Sequence, residues 1–202
     1  REILAAYRAR SIDFFGAGAL EGMSVGVYQH SSVGRDVICD VLSALGAVAV
    51  PLGRAETFIP VDTEALRPQD EALAKAWAAE RRLDALVSTD GDADRPLVAD
   101  ERGEFLRGDL VGALTASALA ADAIVTPVTS NSALEKHGLF ERVVRTRVGS
   151  PHVIAGMEEA RRAGARVVVG FEANGGVLLG SDVTREGRRM TALPTRDALL
   201  PL

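Results

Sequence analysis

The chain has 202 residues, 47% apolar, 25% charged and 4% aromatic, an ordinary globular composition that excludes a disordered or collagen-like polymer and leaves room for one large domain or two small ones. Its net charge is −5, so it lacks the basic excess that an extended nucleic-acid footprint needs, and no run reaches the roughly 18 apolar residues of a membrane-spanning helix. The single cysteine, Cys39, excludes an intramolecular disulfide and fits a reducing compartment, so a cytoplasmic location is expected.

Residues 1–15, REILAAYRARSIDFF, contain neither a signal-peptide core nor an initiator methionine, and the chain is expected to begin inside a longer gene. From there short β-branched runs alternate with helical stretches, the pattern of a layered α/β protein. Met23 to Tyr28 reads as a strand, Gly34 to Leu45 as a helix, and Ala47 to Leu52 as a second strand after the stop at Gly46. Pro68 to Arg82 reads as a helix with proline in its first turn. It is followed by a strand at Asp84 to Ser88, the loop DGDADR, and a strand at Pro96 to Ala99. After Gly108 the pattern restarts: helix Asp109 to Ala121, strand Ala123 to Val128, helix Ser132 to His137, strand Arg142 to Thr146, helix Pro151 to Ala163 and strand Arg166 to Phe171. The restart favours two domains. The segment GEFLRG at 103–108 marks the boundary, because it carries two glycines and coincides with a change of charge. Twelve basic and 18 acidic residues precede Gly108, whereas 11 basic and 10 acidic residues follow it.

Two loops carry the chemistry. In the first, Asp90, Asp92 and Asp94 alternate directly after an apolar strand and can converge on one point. Two unit charges about 4 Å apart repel by about 4 kcal/mol at an effective dielectric near 20, so three convergent carboxylates call for a cation. Oxygen donors select a hard ion, and Mg²⁺ fits because it completes its octahedron with water and phosphate oxygens. A calcium-binding EF-hand would use Asp90, Asp92, Asp94 and Glu101, but it needs glycine where Arg95 stands and a helix where this chain has a strand. A solvated acidic turn is the remaining alternative.

The second loop, Gly170-Phe171-Glu172-Ala173-Asn174-Gly175-Gly176, also follows a strand. Glu172 and Asn174 offer groups suited to vicinal sugar hydroxyls, and Gly175 and Gly176 permit close backbone approach; a plain hairpin turn would explain the same residues. Neither this loop, which has no lysine followed by serine or threonine, nor Gly16-Ala17-Gly18, which lacks the spacing and strand context of a dinucleotide fingerprint, is a nucleotide-binding loop. The histidines at 30, 137 and 152 are too scattered for a zinc site, and Cys39 reads as a packed thiol in a helix.

DGDADR and GFEANGG in this order, with VTPVTSNSALE and TRVGSPHVIAGM between them, resemble the α-D-phosphohexomutase family, which includes phosphomannomutases and phosphoglucomutases. The resemblance implies two consecutive three-layer α/β/α domains with mixed sheets, the second and third of that family's four, at 1–105 and 106–202. It implies an isomerase that moves a phosphoryl group between O1 and O6 of a hexose phosphate through a phosphoserine and a bisphosphate intermediate. It also implies magnesium ligands at Asp90, Asp92 and Asp94, a phosphate-contacting arginine at Arg95, and substrate contacts from Glu172, Asn174, Gly175 and the turn at Gly149. Ser150-Pro151-His152 departs from the lysine- or histidine-containing versions of that turn. The family's serine loop is not found, so the chain by itself is expected to be inactive, with apolar surface available for self-association. The alternatives are a phosphoglucosamine mutase, against which Asn174-Gly175-Gly176 weighs, and a non-catalytic module that binds metal or sugar phosphate.

Overall fold

The computed structural model describes residues 2–202. One compact unit runs to Leu106 and takes in residues 185–188 and Leu202; the other comprises Arg107–Thr184 and Arg189–Pro201.

The first unit opens with α1 (Glu2–Phe15), which no sequence pattern announces because its apolar residues are spread around the helix. It buries Phe14, and Arg8 pairs with Asp40 at 2.6 Å. Next come β1 (Ser24–His30), α2 (Arg35–Ala44), β2 (Val48–Arg54), α3 (Pro68–Arg81), β3 (Ala85–Thr89) and β4 (Pro96–Ala99). The sheet order is β2-β1-β3-β4, with β1 parallel to both β2 and β3 and β4 antiparallel. Central β1 and β3 are almost wholly buried, as parallel strands covered on both faces must be, while β2 is largely exposed. Its Pro51 is tolerated there because an edge strand has one unpaired side.

The core of this unit packs Leu52, Val61, Leu83, Leu86 and Leu97 around Tyr28. The Tyr28 hydroxyl donates to the buried Asp70 at 2.9 Å, and Arg67 grips the same carboxylate with Nε and Nη2, each at 2.7 Å. Burial, with the adjacent carboxylate, pushes the Tyr28 hydroxyl up to about 12. Tyr28→Phe should therefore cost about 1 kcal/mol in urea unfolding, the worth of one net hydrogen bond, because the Arg67 fork still satisfies Asp70. No loss would mean that the hydroxyl contributes nothing net.

The second unit repeats the plan. α4 (Gly108–Ala118), β5 (Ala123–Pro127), α5 (Ala133–Lys136), β6 (Arg142–Thr146), α6 (Ser150–Arg162), β7 (Val168–Phe171) and β8 (Val177–Leu179) build a sheet of order β6-β5-β7-β8, again with one antiparallel strand. Val153, Met157 and Ala160 form the buried stripe of α6 against Val125 and Val168. A further pair, β9 (Val183–Arg185) and β10 (Arg188–Met190), turns through Glu186 and Gly187, both at positive φ. Three-residue strands that are half polar leave no alternation to read, and the sequence gives no warning of them.

The two separate mixed sheets, each flanked by helices, are the layered architecture expected from the alternating pattern. Segment 103–106 is not a free linker: Phe105 bridges Ala99, and the Leu106 amide donates to Val98 O at 2.8 Å.

Candidate active site

In each sheet the chain leaves the central strand toward one neighbour and returns on its other side, which makes a topological switch point at the carboxyl ends of β1 and β3 and of β5 and β7. Helices diverge there, and open α/β sheets hold ligands in the resulting crevice. Asp90–Arg95 joins β3 to antiparallel β4, and Glu172–Gly176 joins β7 to antiparallel β8. The two loops singled out in the sequence are thus equivalents in two copies of one architecture.

The aspartates converge: one carboxylate oxygen from each of Asp90, Asp92 and Asp94 lies within 4.8 Å of the others. Asp90 is 9% exposed, Asp92 is exposed and Asp94 half-buried. Asp90 Oδ1 accepts from the amides of Asp94 and Arg95 at 3.1 and 3.2 Å, which aims its carboxylate back across its own loop. Burial, then the charges of Asp92 and Asp94, push the Asp90 carboxyl up to about 6 against the pull of the Arg95 amide. Arg95 Nε lies 3.7 Å from both Asp90 Oδ2 and Asp94 Oδ1, too far for a hydrogen bond to either. This all-oxygen set with a surplus of negative charge fits a hard divalent cation.

In the second unit Glu172 is 4% exposed, and its Oε2 accepts from Ser150 Oγ and from Arg196 Nε, each at 2.8 Å. The loop is closed by its own backbone: the Glu172 amide donates to Gly176 O and the Gly175 amide to Glu172 O, both at 3.0 Å. Asn174 Oδ1 accepts from the Gly176 amide at 3.0 Å. Gly175 sits at φ 92° and Gly149, the residue capping α6, at φ 117°; both are left-handed positions that favour glycine. Gly108 opens α4 hard against this loop, where a β-carbon would run into Gly175 N and the Ala173 carbonyl. Glu172, Asn174 and Gly175 are thus brought together, and Gly149 is linked to them through Ser150.

Sequence reasoning missed Arg196, because it lies on an irregular segment 24 residues beyond Glu172. It left Ser150 without a role, and the structure makes it a partner of Glu172. His137 and His152 are exposed and His30 is fully buried, in keeping with the surface-or-core reading of all three. Cys39 is a half-buried thiol on α2, its ionisation opposed by burial.

A family model described as phosphoglucomutase/phosphomannomutase, alpha/beta/alpha domain II, matches residues 7–103, and one described as domain III of the same family matches 107–201. This chain belongs to the phosphoglucomutase/phosphomannomutase family. Within the family it is 55% identical to a phosphomannomutase of Sinorhizobium fredii over 91% of this chain and 38% of that protein. It is 48% identical to a phosphomannomutase of Salmonella muenchen over 96% of this chain and 41% of that protein. Identity to a phosphoglucosamine mutase of Symbiobacterium thermophilum is lower, 36% over 76% of this chain and 35% of that protein. The chain therefore spans about two fifths of the curated relatives it matches best among these. A solved phosphoglucomutase/phosphomannomutase family protein from Burkholderia thailandensis superposes with a TM-score of 0.71 over 98% of this chain and 42% of that one, at 18% identity, and shares the fold. Among the described residues no helix is long and apolar enough to cross a membrane.

Proposed function

We propose that this chain supplies the metal-binding and sugar-binding domains of a phosphohexomutase that interconverts hexose 1-phosphate and hexose 6-phosphate, most closely a phosphomannomutase. The observation that carries the reading is the convergence of Asp90, Asp92 and Asp94 at a strand-end switch point in a chain 48–55% identical to phosphomannomutases. The first domain, 1–105, would carry the metal loop and the second, 106–202, the sugar loop. The single thiol suits the cytoplasmic location expected for it.

Asp90, Asp92 and Asp94 would hold Mg²⁺, which when bound offsets negative charge on a transferred phosphoryl group. Arg95 donates to the phosphoryl oxygens; its guanidinium stands beside the carboxylates with no hydrogen bond at Nε. Glu172 accepts from a sugar hydroxyl while Arg196 and Ser150 fix its rotamer. Asn174 holds the loop closed, and Gly175 and the turn at Gly149 leave room for the ring.

The test is a graft of this chain in place of the matching segment of the Sinorhizobium phosphomannomutase, assayed with mannose 1-phosphate and glucosamine 1-phosphate. Interconversion of mannose phosphates that is lost on Asp92→Asn supports the reading. A folded chimera that acts only on glucosamine phosphate points to a phosphoglucosamine mutase. One that binds sugar phosphate and turns over neither points to a binding module.

A further inference from the structure

The end of β1 is fastened to the metal loop by a hydrogen-bonded chain whose direction is fixed at both ends. The Asp90 carbonyl can only accept, and it takes its proton from Thr89 Oγ1 at 2.9 Å. Thr89 Oγ1 must then accept from Ser32 Oγ, 2.6 Å away. Ser32 Oγ in turn accepts from the Gly34 amide, which can only donate, at 3.1 Å. The order is Gly34 N–H, Ser32 O–H, Thr89 O–H, Asp90 C=O. Each hydroxyl polarises the next, and aligned chains of this kind bind more strongly than their members taken singly.

Thr89 is held a second time: its carbonyl accepts from His30 Nε2 at 2.8 Å, so the ring proton is on Nε2. The Val33 amide reaches across to Gly91 O at 3.1 Å. Ser32 and Thr89 are 2% and 1% exposed, so bulk water cannot stand in for a missing hydroxyl. Within its loop Asp90 is held by the amides of Asp94 and Arg95 on its carboxylate, by the Ala93 amide on its carbonyl at 3.3 Å and by its own amide on Arg95 O at 3.1 Å; the relay adds the tie on that carbonyl from Thr89 and Ser32.

We propose that Ser32 and Thr89 are positioning residues for the metal site, holding Asp90 in its ligating orientation through this relay rather than touching the ion. The inference rests on the reading of the Asp90–Arg95 loop as a divalent-cation site. Groups that orient metal ligands from behind carry about ten- to a hundredfold in affinity, and a relay ending on a backbone carbonyl belongs at the lower end.

The experiment is titration of the full chain with Mn²⁺, read from the electron paramagnetic resonance of the free ion, beside thermal unfolding without metal. Thr89→Val keeps the shape and removes the hydroxyl; Thr89→Ser removes a buried methyl and keeps it. The relay requires Thr89→Val to weaken Mn²⁺ about tenfold, and Thr89→Ser to bind within about twofold of the parent although the lost methyl lowers its Tm. A purely structural role would make affinity follow Tm instead, and that result, or unchanged affinity in Thr89→Val, overturns the proposal while leaving the metal reading intact. Ser32→Ala breaks the same chain one bond earlier and gives the answer if Thr89→Val does not fold. Full Mn²⁺ binding by Asp92→Asn would overturn the metal reading and the relay's role together.

Discussion

Asp90→Asn should abolish divalent-cation binding and at the same time stabilise the metal-free chain at neutral pH. The two effects have one origin. Asp90 is nearly buried among two other carboxylates, and its carboxyl is pushed from the ordinary 3.8 up to about 6 by burial and by Asp92 and Asp94. Between those values the folded chain retains a proton that the unfolded chain has released, so stability falls as pH rises through the window and the penalty is complete above about pH 6. Asparagine carries no charge and keeps an oxygen for the amides of Asp94 and Arg95. The variant should exceed the parent by about 1 to 2 kcal/mol at pH 7.5, with the gap closing below about pH 4. Urea unfolding in the presence of a chelator measures the gap, and calorimetry with Mg²⁺ measures the binding. In the parent, Mg²⁺ affinity should fall as pH drops through about 6, since protons compete for the same oxygens. Equal stability of parent and variant at both pH values would show that Asp90 bears no burial penalty.

Glu172→Ala should destabilise the second unit by about 2 to 3 kcal/mol, the largest stability loss expected from any residue of the proposed sugar site. Glu172 is nearly buried and paired with Arg196, whose side chain is 23% exposed; Ser150 donates to the same oxygen. Removing the carboxylate takes away the acceptor of both donors, and partial exposure of Arg196 keeps the cost below that of a fully buried broken pair. Glu172→Gln retains an acceptor and should lose about half as much. Sugar-phosphate binding, followed by titration with mannose 6-phosphate, should weaken in both variants, including Glu172→Gln where the fold is better preserved. A double-mutant cycle with Arg196→Met isolates the pair, and additive effects would mean that Arg196 does not orient Glu172.

The elements that the sequence located unaided are those with strong local signals. Buried parallel strands such as Leu86-Val87-Ser88 read as apolar runs, and α2 and α6 carry apolar residues at helical spacing. Most helix ends shifted by one residue, since caps such as Gly34 and Arg82 lie half in and half out of a helix, but α4 stops at Ala118, three residues before the Ala121 expected from the sequence. Asp90, Asp92 and Asp94 were legible because all three sit in one loop, where alternate spacing alone allows them to meet.

Other parts were decided by tertiary structure. α1 has no apolar stripe, and β9 and β10 are too short to alternate. The partners of the site residues left no mark at all: Ser32 meets Thr89 across 57 positions, and Arg196 meets Glu172 across 24. A hydrogen bond between distant segments constrains two residue types but not their separation, so it imprints no period on the sequence. Local propensity and spacing determined which loops carry charge and where strands deliver them. The fold decided which buried hydroxyls, amides and guanidinium hold those charges in place, because burial removes water as a competing partner and makes each such bond count.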